Sequence, residues 1–104
     1  MTFWPHKGTT ETITVELGKE RMVSGVELYW FDDTGQGGCR VPAAAHLSCF
    51  TDDEWMPAKP SSAVPLTKDK MNRLEITPMS TTAIQLKIEL QEGFSGGLLE
   101  LKLF

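Results

Sequence analysis

The sequence predicts an all-β fold, an antiparallel β-sandwich of about seven to eight short strands. Three observations predict it. Several runs alternate apolar and polar residues with a period of two, clusters of turn-forming residues separate those runs, and no window carries a helical period with caps at its ends.

After Thr10, the alternation places Ile13, Val15 and Leu17 on one face, and Gly18-Lys-Glu-Arg then reads as a turn. After Ser24, Val26, Leu28 and Trp30 point inward, and Asp33-Thr-Gly-Gln-Gly-Gly forms a loop. Ala45 to Phe50 is a third strand, and Thr51-Asp-Asp-Glu turns it into a short strand from Trp55 to Ala58. Between Ser62 and Asn72 the chain has room for a single helical turn around Thr67-Lys-Asp-Lys. Asn72 to Thr77 follows as a strand with Leu74 and Ile76 inward. The clearest alternation begins at Ala83, with Ile84, Leu86, Ile88 and Leu90 on the buried side and Gln85, Lys87 and Glu89 on the other. A loop at Gly93-Phe-Ser-Gly-Gly leads into a last strand, where Leu99, Leu101 and Leu103 are expected to face the core.

Length and composition narrow the function. A chain of 104 residues has material for one core and little for a second, so residues 1–104 are expected to form a single domain without an enclosed multi-substrate active site. Fourteen acidic side chains against ten basic ones leave a formal charge of −4, with no basic run to neutralise phosphates. Nucleic acid is therefore not an expected partner. No apolar stretch reaches the roughly 20 residues that span a bilayer, and Met1 to Thr10 lacks the basic-then-apolar order of a signal peptide. Neither a membrane role nor a secretory address is read from this chain. The two cysteines, Cys39 and Cys49, do not imply a disulfide framework.

The inventory of chemical groups is thin. His6 and His46 are the only histidines, and neither has a second metal ligand at the spacing a zinc site uses. The adjacent carboxylates Asp52-Asp53 read as turn residues, and no nucleophile elbow, phosphate loop or dinucleotide fingerprint is present. The unusual stretch is Tyr29-Trp-Phe-Asp-Asp-Thr-Gly-Gln-Gly-Gly-Cys-Arg-Val-Pro, in which aromatics, two carboxylates and an arginine surround a glycine loop. Sugar recognition uses this mixture: a ring covers the C–H face of a pyranose, while carboxylates and a guanidinium bond its vicinal hydroxyls. The competing reading is that Asp32 or Asp33 pairs with Arg40 and pins the loop. Trp4 and His6 either line the same rim or, for Trp4, plug the end of the core. Trp55 reads as packing, and Phe94, at a loop tip, as a recognition candidate.

Val15-Glu-Leu-Gly, Val23-Ser-Gly-Val-Glu-Leu-Tyr and Val41-Pro, followed by a strand that turns at Asp52-Asp53 into Trp55, resemble the galactose-binding-like sandwich of discoidin domains. Four further segments, Phe3-Trp-Pro-His-Lys-Gly-Thr-Thr-Glu, the Tyr29-to-Pro42 stretch, Lys68-Asp-Lys-Met-Asn-Arg and Phe94-Ser-Gly-Gly-Leu-Leu-Glu, are similar to the C-terminal accessory domain of bacterial glycoside hydrolases related to β-L-arabinofuranosidases. The resemblance implies a jelly roll excised from a larger secreted or periplasmic enzyme, with catalysis in the rest of that enzyme. It places Trp4, His6, Asp32, Asp33 and Arg40 on the ligand-bearing loops. The strand after Pro42 departs from the family, which has a tryptophan, a basic residue and a tyrosine where this chain has Ala45, His46 and Cys49. Family members also carry an upstream strand and a loop that holds a structural calcium in discoidin-like folds. This chain begins after both, so no cofactor is expected and a sheet edge is expected to be open to dimerisation.

The resulting expectation is a noncatalytic carbohydrate-binding or substrate-positioning module with a weak carbohydrate ligand at Trp4, His6, Asp32, Asp33 and Arg40. The alternative is a structural brace whose aromatic and acidic loops dock on the catalytic domain of the parent chain. Interfaces enrich the same residue types, so the loop suits both.

Overall fold

The computed structural model describes residues 6–59 and 61–104. Five strands, β1 (Thr10–Phe31), β2 (Ala44–Thr51), β3 (Glu54–Pro57), β4 (Met71–Glu89) and β5 (Gly97–Leu103), form one sheet in the order β3-β2-β4-β1-β5. Every pairing in it is antiparallel. The fold is all-β and of the β-sandwich kind. The expected strands around Ile13 and Leu28 are two halves of the continuous β1, and those around Ile76 and Ile84 are two halves of β4.

Those two strands cannot be straight. At about 3.3 Å per residue, 22 residues would extend roughly 70 Å, whereas the molecule measures 42 × 24 × 23 Å. The bends fall where the β1–β4 register slips. Between the pairs Glu16↔Ala83 and Arg21↔Thr81, β1 carries the four residues Leu17 to Glu20 against the single Thr82. Between Val23↔Met79 and Gly25↔Glu75, the excess lies on β4, where Ile76, Thr77 and Pro78 face the single Ser24. Extra residues in one strand kink and twist the ladder, and a proline, with no N–H to give it, is tolerated at such a place.

The bends let one sheet wrap both sides of one core. Val23, Val26, Leu28 and Trp30 of β1 pack in the same cluster as Ala45, Leu47 and Cys49 of β2 and Ile84, Leu86 and Ile88 of β4. Ile13, Val15 and Leu17 are partly buried against it. The slip at Ser24 also changes which parity faces inward, from Val23 to Val26, Leu28 and Trp30. Trp30, 1% exposed, satisfies its indole N–H on the Pro65 carbonyl at 2.9 Å.

The last strand departs from the expected alternation. A register shift between Tyr29 and Trp30 pairs Leu28 with Leu101 but Trp30 with Leu98, so Leu98 is buried and Leu99, expected in the core, is 60% exposed. The extra residue is Leu99 itself, a bulge in β5 that simple alternation cannot anticipate. The Ser62 to Asn72 segment contains a turn at Lys68 and Asp69 and no helix. The buried Asn72 shapes it: its carbonyl accepts from the Thr67 N–H at 2.8 Å, and its NH₂ donates to the Thr67 and Lys70 carbonyls at 2.7 and 3.1 Å.

Gly25 is the tightest point of the second slip. Its N–H and carbonyl both bond the backbone of Phe104 at 3.1 Å, and a Cβ there would lie 2.3 Å from the Leu74 carbonyl oxygen and 2.4 Å from the Phe104 ring. Gly25→Ala must displace backbone as well as a ring. It is expected to destabilise by about 1–3 kcal/mol, read as a fall in the thermal midpoint; an unchanged midpoint would mean that the C-terminal residue does not dock on this bulge.

Candidate functional site

The loop from Asp32 to Ala43 joins β1 to β2, and its shape comes from its own polar groups. Asp32 continues a strand and then turns, so its side chain swings back over the loop. Oδ1 accepts the Thr34 N–H at 3.0 Å and the Thr34 hydroxyl, and Oδ2 accepts the Val41 N–H at 3.0 Å. Lys68 Nζ lies 3.9 Å from Oδ1, and the Asp32 side chain is only 4% exposed. Burial on its own raises the carboxyl pKa, but the bonds from Thr34 and Val41, with Lys68 nearby, outweigh it and hold the group below the ordinary aspartate value.

Asp33 closes the other half of the loop. Its Oδ1 accepts the Cys39 N–H at 2.7 Å, and its backbone accepts from Gln36 and Gly37. A Cβ on Gly37 would stand 2.2 Å from Asp33 Oδ2, so only glycine leaves this carboxylate its place. Arg40 Nη1 lies 3.6 Å from Asp33 Oδ1 and donates to the Gly37 and Cys39 carbonyls at 2.8 and 2.9 Å. Its guanidinium carbon sits 4.5 Å from the centre of the Phe94 ring. Every bond of this guanidinium to the described residues starts from Nη1, which leaves Nε and Nη2 as an unspent pair of donors.

Phe94 is half-buried beneath Arg40 and not loose at a loop tip. Its carbonyl accepts the Gly8 N–H at 3.0 Å, which draws the segment after His6 to the same end of the molecule. His6 itself is exposed, with Nδ1 2.5 Å from Glu11 Oε1. The His6 ring, with the Thr9 hydroxyl, holds the Glu11 carboxyl below its ordinary value. The structure therefore brings Asp32, Asp33, Arg40 and Phe94 into one cluster with the His6 segment beside it. Trp4 lies outside the described residues.

Burial pushes the Cys39 and Cys49 thiols up, so neither supplies a thiolate near neutrality. His46 faces Ser62 at 3.2 Å. Among the described residues no three His, Cys, Asp or Glu side chains are arranged to hold a metal.

Trp55, expected as packing, is 39% exposed. It sits on β3, a sheet-edge strand whose residues are all exposed, opposite Phe50 of β2. The two rings meet edge to face, with centroids 5.2 Å apart and planes at 63°. They wall a hollow of about 380 Å³ with Thr14, Glu16 and Thr82. A tryptophan after a hairpin has no alternating partners in so short a strand, so sequence pattern did not separate packing from display.

No family model and no curated protein matches the chain. Its fold matches solved structures at low sequence identity. One is a selenomethionine-labelled mutant of chitosan-binding module 1, derived from the chitosanase/glucanase of Paenibacillus sp. IK-5. It has a TM-score of 0.71 and 14% identity over 93% of this chain and 70% of that one. Another belongs to the β-galactosidase BgaA of Streptococcus pneumoniae, with a TM-score of 0.73 and 13% identity over 99% of this chain and 77% of that one. A third, SpGH29, aligns at a TM-score of 0.64 and 17% identity with 89% of this chain but 19% of its own. The chain thus shares the fold of a carbohydrate-binding module and of parts of glycoside hydrolases.

The Asp32 bonds give a pH prediction. A carboxyl whose pKa is depressed by folding adds stability that is present above the unfolded value and lost as the pH falls through the folded one. Asp32→Asn should be less stable than the parent at pH 7, and the gap should narrow below about pH 4. Denaturant unfolding at both pH values tests this, and a gap independent of pH would show that the charge does not hold the loop.

Proposed function

We propose that this chain is a noncatalytic carbohydrate-binding module, of the jelly-roll, discoidin-like kind, belonging to a larger bacterial glycoside hydrolase that acts outside the cytoplasm. The observation that carries the reading is Arg40. Its guanidinium is fixed by two backbone carbonyls and the Phe94 ring, yet no described residue uses Nε or Nη2 at this loop end of the molecule. Two adjacent donors in a rigid fork suit the vicinal hydroxyls of a sugar, and the fixed geometry lowers the ordering cost of binding. The modules and hydrolases with the same fold support the class of ligand.

In this reading Asp32 frames the loop, Asp33 and Arg40 face the ligand, and His6 and Trp4 complete the rim. Raising the local concentration of substrate for an attached enzyme is the task such a module performs. The brace alternative uses the same rim against the catalytic domain. The outer edge of β1 from Thr10 to Glu16 pairs with no described strand, and we propose it as the route to a dimer or to an added strand.

Affinity is expected near millimolar, about −4 kcal/mol. Arg40→Ala should weaken binding by roughly tenfold or more, since it removes charge-assisted bonds. NMR titration with mono- and oligosaccharides reads this directly, and shifts that ignore Arg40→Ala would remove the site. Turnover of aryl arabinosides or galactosides by the isolated chain would overturn the noncatalytic reading. If no glycan binds while the parent enzyme loses stability without this domain, the brace is the function.

A further inference from the structure

The groove walled by Trp55 shares no lining residue with the Arg40 loop and runs across the sheet from β3 over β2 and β4 to β1. We infer that this groove is a second glycan site, selective for a cationic chain of amino sugars. The inference rests on reading the domain as carbohydrate-binding but assigns a different place and a narrower ligand.

Two hollows make up the groove. The first, about 380 Å³, has the Trp55 and Phe50 rings on one side and Glu16 on another, and its size falls in the range of small-ligand sites. The second, about 210 Å³, shares Phe50 and Thr82 with the first and is bordered by Glu20, Asp52, Asp53 and Ser80. One part is aromatic and the other is acidic.

The aromatic part is held ready. Trp55 keeps 39% of its surface in solvent, and its edge-to-face contact with Phe50 supports the indole from one side. A fixed, exposed ring presents a flat apolar face, which the axial C–H groups of a β-linked pyranose cover at little entropic cost.

The carboxylates of both hollows set the charge of the ligand. The carboxylates of Glu16, Asp52 and Asp53 make no hydrogen bond or ion pair with the described residues, and that of Glu20 makes one, accepting the Ser80 hydroxyl at 2.6 Å. The nearest cations along the chain, Lys19 and Arg21, line neither hollow. Four carboxylates around one groove with no cation among its lining residues favour a ligand that brings positive charge. A neutral glycan satisfies the ring but leaves that field unanswered. A protonated amino group on successive sugars answers both.

The test is a titration of the folded chain, followed by ¹H–¹⁵N NMR, with a short oligomer of β-1,4-linked glucosamine at a pH that keeps its amines charged, and with the fully N-acetylated oligomer alongside. The expected result is movement of the Trp55 indole N–H and of the Asp52 and Asp53 amides, with the acetylated oligomer at least roughly tenfold weaker because it lacks the charge. Trp55→Ala should lose both ligands. Glu16→Gln, which keeps shape and should not affect folding, should selectively weaken the charged oligomer. Glycan binding that depends on Arg40 and is indifferent to Trp55→Ala and Glu16→Gln would overturn the second site while leaving the proposed function intact. Absence of binding by any glycan would end both. If oligolysine occupies the groove as tightly as the glucosamine oligomer, the surface recognises polycations such as basic peptides, and the glycan assignment fails.

Discussion

The shared bend of β1 and β4 is the constraint from which the rest of the structure follows. Two strands of 22 and 19 residues pair along most of their length, and only the slips at Glu16/Arg21 and Val23/Gly25 let them fold within a body 42 Å long. The geometry serves burial. An open flat sheet would leave the apolar faces of Ile84, Leu86 and Ile88 opposite water, whereas the bent one sets them in the same cluster as Leu28 and Trp30. The slips also determine what is left at the rims. The first puts Gly18 and Glu20 at the groove of Trp55 and Glu16, and the second seats Phe104 against Gly25.

The loop between β1 and β2 shows how a polar cluster divides between structure and availability. Asp32 and Asp33 are neighbours, yet they cap different parts of the loop: one binds Thr34 and Val41, the other Cys39. Successive side chains leaving a strand point apart, so a pair of adjacent carboxylates rarely meets one ligand. Both are bonded into the fold before any ligand arrives, and Asp32 is nearly closed to solvent. Arg40 differs because it has five N–H donors and the loop uses only those on Nη1. A residue with more donors than the fold consumes can serve both ends at once.

The two surfaces of the molecule have different characters for the same reason. Around Arg40 the charges are matched in place, with Asp33 near the guanidinium and Lys68 near Asp32. Around Trp55 the carboxylates have no such partners among the described residues, and the ring keeps 39% of its surface exposed. Electrostatic satisfaction inside the first cluster gives it rigidity. Its absence at the second leaves a field that extends into solvent and falls off over about 8–10 Å at ordinary salt.

The period-two alternation in the sequence determined the class of fold and most of its core. Val26, Leu28 and Trp30, Ile84, Leu86 and Ile88, and the short hairpin through Asp52 and Asp53 stand where the pattern places them, because the side-chain period of a strand is a local property of the backbone. The aromatic, acidic and arginine content of the Tyr29 to Pro42 stretch likewise marked the loop that gathers Asp32, Asp33 and Arg40. The fusion of four expected strands into β1 and β4, the exposure of Leu99, the display of Trp55 and the division of duties between Asp32 and Arg40 were decided by the tertiary structure. Each depends on where a bulge falls or which donor an acceptor meets across the sheet, and those are relations between residues far apart in the chain that no local period encodes.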